Sequence, residues 1–349
     1  MSKRLESLEP ARAVRMYLEA RQDELADWTL KSHKYRLRAF VEWCEEAGVD
    51  DLTELDGRDL YEFRVWRREG NFGAEDGETP EEIAPVTLKS QLTTLRAFLR
   101  FAANIHAVPE DFYERVPLPK LSGTDDVSDS TLEPDRATDI LEYLHRYHYA
   151  SRRHVEFALL WETGARMGAI RGLDLRDLDL DGRTPVVQYK HRPDQGTPIK
   201  NGEKGERFNS VSDRVGTMLQ AYIDGPRVDA TDEFGRKPLL TTSHGRVSAS
   251  TIRQDVYVVT RPCWLNQGCP HNRDIETCEA VELNHVSTCP SSRSPHDVRK
   301  GVVTLYRREE VPRRVVSDRL DASDLVLDKH YDRRGERERA EQRRNHLPW

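Results

Sequence analysis

The stretch from Val116 to Pro134 constrains this chain most. It begins Val-Pro-Leu-Pro-Lys-Leu-Ser-Gly and continues through Asp125, Asp126 and Asp129, so it is first Pro-rich, then polar and acidic. Such a segment buries little and resists regular structure, and it reads as a linker between separately folded parts. The chain has 349 residues, enough for two hydrophobic cores, one on each side. We therefore expect a first domain over 1–115, a linker over 116–134 and a second domain over 135–349.

The first domain reads as four helices. Ala13, Val14, Tyr17 and Leu18 share one helical face. A second helix starts near Trp28-Thr29, carries Leu37, Phe40, Val41 and Cys44, and stops at Gly48. A third is expected from Asp56 to about Arg68. After an acidic loop over 69–85, Thr87 is expected to cap a fourth bearing Leu88, Leu92, Leu95, Leu99 and Ala102. Lys31, Lys34, Arg38, Lys89, Arg96 and Arg100 add positive charge to this domain. They read as a nucleic-acid face or as an ordinary solvated one. The second domain opens with helices near 135–148 and 151–164, turns β-rich from Val186 to Val211, and returns to helices from about 212.

Four sites in the second domain carry chemistry. In Thr163-Gly-Ala-Arg166, Gly164 breaks one helix and Arg166 opens the next, a setting in which a guanidinium fork suits a phosphate; the plain alternative is an ion pair with Glu162 or Asp174. The turn at Asn201-Gly202 places Lys200 near the tip of a β-hairpin, with Lys204 as the competing lysine. In Ser294-Pro-His-Asp-Val-Arg299, His296 and Arg299 lie one helical turn apart, so both are expected on one face. Finally, Asp328-Lys-His-Tyr331 presents an isolated tyrosine, and Tyr306 is the fallback phenol.

In this order and spacing the residues resemble the tyrosine recombinase (phage integrase) family, over nearly the whole chain. The resemblance implies a mainly α fold: an N-terminal four-helix SAM-like core-binding domain and a helical α+β catalytic domain with a small antiparallel sheet. It implies that Arg166, Lys200, His296, Arg299 and Tyr331 are catalytic, with Tyr331 attacking a DNA phosphate to give a 3′-phosphotyrosyl link and Lys200 protonating the departing 5′ oxygen. Strand exchange implies double-stranded DNA and a homotetramer on paired sites as partners. Two departures stand out. Ala169 occupies a place where the family often has Glu, and Ala322 replaces the usual His or Trp of the Leu-Gly-His triplet. A recombinase-fold DNA-binding protein that no longer cuts, and a type IB topoisomerase-like enzyme, are the alternatives.

Composition bears on partners and compartment. The net charge of −7 runs against polyanion binding, but Arg dominates the cations and carboxylates are spread throughout, a halophile-like pattern in which local Arg clusters still meet phosphates. No apolar run approaches a membrane span and the N-terminus has no apolar signal region, so a cytoplasmic protein with no membrane partner is expected. No G-x-x-x-x-G-K-[ST] loop is present, in keeping with chemistry that needs no cofactor. Cys263, Cys269, Cys278 and Cys289 fall in one irregular insertion at about 261–290, where they read either as structural zinc ligands, with His271 and His285 in reserve, or as buried free thiols.

Overall fold

The computed structural model describes residues 4–73, 81–121, 130–323, 326–327, 340 and 344, and the chain divides into two compact units, Met1–Ser128 and Asp129–Trp349. In the first unit four helices enclose one core: α1 (Pro10–Ala20), α2 (Asp27–Ala47), α3 (Gly57–Arg68) and α4 (Pro85–Asn104). Each boundary has a local cause. Gly48 ends α2 at φ +71°, a conformation open to glycine, and the Asp56 carboxylate accepts from the amides of Arg58 and Asp59 at the start of α3. The start of α4 differs from expectation: Pro85 takes the first turn, where its missing N–H costs nothing, and Thr87 lies inside the helix. Phe40 meets Phe63 and Phe98 at ring distances of 5.4 and 5.9 Å, and Val116 is buried in the same core.

The second unit is built around α6 (Arg152–Thr163), in which nine residues are buried. It packs against α5 (Pro134–Tyr147), α8 (Asp213–Asp224), α9 (Ala249–Val259) and α10 (Pro295–Arg308). The short α7 (Met167–Arg171) follows α6, and α11 (Arg313–Leu320) follows α10. Strands β1 (Leu178–Asp179), β2 (Val186–Tyr189) and β3 (Arg207–Ser210) form an antiparallel sheet in that order, with Tyr189 opposite Arg207; β4 (Thr241–Thr242) and β5 (Gly245–Arg246) make a second small hairpin. The fold is thus mainly helical with a small antiparallel sheet. Among the described residues no helix is long and apolar enough to cross a membrane.

Two features fix the frame of the site. Gly301 lets the incoming chain cross α10 closely, since a Cβ there would lie 2.2 Å from the Leu132 carbonyl oxygen. Behind α7, Arg246 bonds Asp174 at 2.5 Å and Asp232 at 2.8 Å, while Arg192 grips Asp177 with both Nη atoms. Burial opposes the charge on Asp232, but hydrogen bonds from Arg246 and Arg236 prevail and pull its pKa down to about 2.

Candidate active site

Gly164 closes α6 at φ +58°, and Arg166 follows as the residue before α7. Because α7 is only five residues long, the positive character of this turn comes from the guanidinium rather than from a helix dipole. Arg166 pairs with neither Glu162 nor Asp174, the partners of the plain alternative. Glu162 instead caps α8 by accepting from the Ser212 amide and hydroxyl, and Asp174 is taken up by Arg246. The partner is Asp321, 155 residues downstream, whose Oδ2 accepts from Arg166 Nη1 at 2.8 Å.

Ser294 and Asp297 form a reciprocal capping box at the start of α10, with Pro295 in its first turn. This sets His296 and Arg299 on neighbouring turns, but their environments differ, contrary to the single shared face expected. His296 is exposed, whereas Arg299 is 1% exposed, its Nη1 donating to the Gly164 carbonyl at 2.6 Å and its Nη2 to the Leu320 carbonyl at 2.9 Å. The reason is the 3.6-residue period: a three-residue step leaves two side chains about 60° apart, enough at a helix edge for one to face solvent and one the core. Although solvent reaches the His296 ring, the protein around it is the first cause of a pKa pushed down to about 4. Lys300 and Arg299 add to the shift, Asp297 opposes it, and Lys200 contributes from the hairpin. The imidazole is therefore neutral at pH 7.

Lys200 lies in the 190–206 connection between β2 and β3, inside a turn closed by the Gly202 amide on the Ile199 carbonyl at 3.0 Å. It is exposed and near enough to His296 to influence it; Lys204 is not among the groups that do. Arg207, not singled out from sequence, begins β3: it covers the Tyr189 ring at 4.7 Å and donates to the Arg319 and Gly205 carbonyls. Arg166 and Asp321 both act on its charge.

One short turn gathers these groups. At the end of α11 the Arg319 carbonyl accepts from Arg207 and Asn209, the Leu320 carbonyl from Arg299, and the Asp321 carboxylate from Arg166 and from Asn201 Nδ2 at 2.7 Å. The last carbonyls of a helix lack partners within it, and guanidinium donors satisfy them well. Ala322 is buried beside Val303, Val316, Leu320 and Leu327 and exchanges hydrogen bonds with Ser317, so its methyl belongs to an apolar cluster. Tyr306 donates to the Glu162 carbonyl at 2.8 Å and accepts from Arg319 Nε, as suits a core tyrosine. Tyr331 lies outside the described residues.

The cysteine segment folds as short 3₁₀ turns against the rest of the unit. Trp264 stacks on His148 at 5.0 Å, and Arg136 donates to the carbonyls of Thr260 and Ser291. Burial raises the Cys263 thiol pKa, Arg261 opposes, and the nearby Cys289 and Cys269 raise it further. Yet among the described residues no three His, Cys, Asp or Glu side chains are gathered as metal ligands, and His271 is occupied by the Ser291 hydroxyl at 2.8 Å. The segment is nevertheless held in place by its own aromatic and guanidinium contacts.

In the first unit, His33, Arg36, Lys89, Ser90 and Thr93 line a groove of about 420 Å³ between α2 and α4. Arg96 and Arg100 are drawn elsewhere, the first to the Tyr113 and Glu114 carbonyls and the second over the Tyr113 ring.

No family profile matches the chain. It is 30% identical over 181 residues to the tyrosine recombinase XerD of Mycobacterium tuberculosis, a match covering 49% of this chain and 54% of that protein, so the chain spans about half the length of this curated relative. A Tn1549 transposon integrase in complex with a circular intermediate DNA superposes with a TM-score of 0.63 at 16% identity, covering 97% of this chain and all of that one. A lambda integrase tetramer bound to a Holliday junction gives 0.58 at 13% identity, covering 96% and 80%. The two structural likenesses establish the fold, and the XerD match adds the sequence. The chain is thus similar in sequence, over about half of its length, to a tyrosine recombinase, and similar in fold to integrases.

Proposed function

We propose that this protein is a site-specific DNA recombinase that breaks and rejoins duplex DNA through a 3′-phosphotyrosyl intermediate. The observation that carries the reading is the convergence on the 319–321 turn. Arg166 and Arg299 bond directly to it, Asn201 beside Lys200 does too, and His296 lies within the influence of Lys200 and Arg299. Positive charge from three distant parts of the sequence bears on this place, which suits a group carrying concentrated negative charge.

In this reading the Tyr331 oxygen gives up its proton to water and forms a bond to phosphorus, the bond from phosphorus to the 5′ oxygen breaks, and Lys200 protonates that oxygen. A partner strand's 5′-hydroxyl later reverses the step, so bond energy is conserved without a nucleotide cofactor. Arg166 contacts a non-bridging oxygen. Neutral His296 hydrogen-bonds the phosphate, and buried Arg299 both adds positive potential and secures the Gly164 turn. The α2–α4 groove is the proposed backbone contact of the first unit, and a homotetramer on two duplexes is the proposed working assembly, by analogy with the lambda integrase complex.

Covalent capture tests this. The full chain is incubated with a library of nicked duplexes, adducts are isolated under denaturing conditions, and the bound DNA is sequenced. A 3′-linked adduct that disappears in Tyr331→Phe and persists in Tyr306→Phe is the expected result. Tight duplex binding with no adduct from the wild-type chain would favour the non-cleaving alternative, and adduct lost only in Tyr306→Phe would move the nucleophile.

A further inference from the structure

We infer that Asp321 is a positioning residue: its carboxylate fixes Arg166 together with the hairpin that carries Lys200, supplying the acidic partner that Ala169 does not. This rests on the recombinase reading above.

The backbone of Asp321 has φ +53° and ψ +57°, the left-handed region that glycine enters freely and other residues enter at a cost. An aspartate at such a position needs a compensating interaction, and its carboxylate has one. Oδ2 accepts from Arg166 Nη1 at 2.8 Å and Oδ1 from Asn201 Nδ2 at 2.7 Å, so one side chain links the turn after α6, the β2–β3 connection and the end of α11. Gly205 makes room for it, since a Cβ there would come 3.0 Å from Oδ2. The Asp321 side chain is 14% exposed, shielded enough for the ion pair to hold its geometry.

The arrangement leaves the arginine usable. Asp321 is the single hydrogen-bond partner of the Arg166 guanidinium among the described residues, through Nη1, and the Arg166 side chain stays 24% exposed. The remaining N–H groups can take a phosphate oxygen while Nη1 stays tied, which is how an acceptor orients a guanidinium fork without consuming it. Asn201 is the chain neighbour of Lys200, so the same carboxylate sets where the lysine begins its reach.

The test compares Asp321→Gly and Asp321→Asn in the full chain. Side-chain NMR of ¹⁵N-arginine in DNA-free protein, with the Arg166 signal assigned by its loss in Arg166→Lys, should show a restrained guanidinium in the wild type. The restraint should be lost in Asp321→Gly and partly kept in Asp321→Asn. On the duplex recovered by covalent capture, Asp321→Gly should melt no lower than wild type and bind within about twofold, yet cleave in a single turnover roughly 100-fold more slowly, the scale expected when a reacting group is misplaced by about an ångström. Asp321→Asn, which keeps an acceptor oxygen, should recover part of the rate. Unchanged cleavage in Asp321→Gly overturns the inference, as does tighter binding with faster cleavage, which would make the carboxylate a plug in the phosphate place. If the wild-type chain forms no adduct on any duplex, the recombinase reading fails by itself, and an Arg166 signal unaltered in Asp321→Gly separately overturns the tie.

Discussion

Arg299→Ala should unfold the second unit more readily as well as slow any chemistry there, and the size of the effect follows from what the guanidinium touches. Both Nη atoms bond to buried carbonyls, Gly164 at 2.6 Å and Leu320 at 2.9 Å, and the side chain is 1% exposed. A hydrogen bond to a charged donor contributes about 1.5–3 kcal/mol, and truncation leaves both acceptors without that donor, so the loss is about 3–6 kcal/mol. For a unit of this size roughly 2–4 °C accompanies each kcal/mol, giving a drop in melting temperature on the order of 10 °C. Differential scanning calorimetry of the full chain at pH 7 measures it directly. Arg299→Lys should fall between, since an ammonium keeps the charge without a fork that spans two carbonyls. A midpoint within about 2 °C of wild type would refute the reasoning and return Arg299 to a purely phosphate-binding role. The adduct assay must therefore be run well below the variant's melting temperature, or lost folding will pass for lost catalysis.

Other consequences are equally open to measurement. Gly164→Ala should cost about 2–4 kcal/mol by urea denaturation, because φ is +58° and the new methyl would lie 2.7 Å from Leu320 Cδ2; a neutral effect would show that the turn can relax. Burial, with Asp255 adding to it, raises the pKa of Glu156 well above its ordinary value, while Arg152 opposes. The folded state thus holds a proton that the unfolded chain releases, so stability should fall as pH rises from about 4.5 through the folded pKa, and Glu156→Gln should flatten that slope. An identical pH dependence in the two proteins would count against the buried proton. For the cysteines, the proposal remains one zinc per chain drawing Cys263, Cys269, Cys278 and Cys289 together, with content unchanged in Cys44→Ser; metal-free protein of full activity would leave them as thiols. Cys44 is buried, and its thiol pKa is pushed up to about 12, first by burial, which suits a packing role.

Much of the fold is written in short-range signals. Gly48 and Gly164 end their helices in the left-handed conformation, Asp56 and Ser294 cap theirs, and the leucines of α4 all face its core, because each depends on residues within a turn or two. The order of Arg166, Lys200, His296, Arg299 and Tyr331 was likewise legible, since it needs no geometry. What tertiary structure alone decided is which of these groups meet and on what terms. Asp321 and Arg166 are 155 residues apart, and nothing local marks this aspartate as the partner of that arginine. Only packing of α11 against the end of α6 and the β2–β3 connection brings them to 2.8 Å. The same packing buries Arg299 while leaving His296 in contact with solvent, a distinction that the His-x-x-Arg spacing could not carry because periodicity gives direction around a helix but not what lies beyond it.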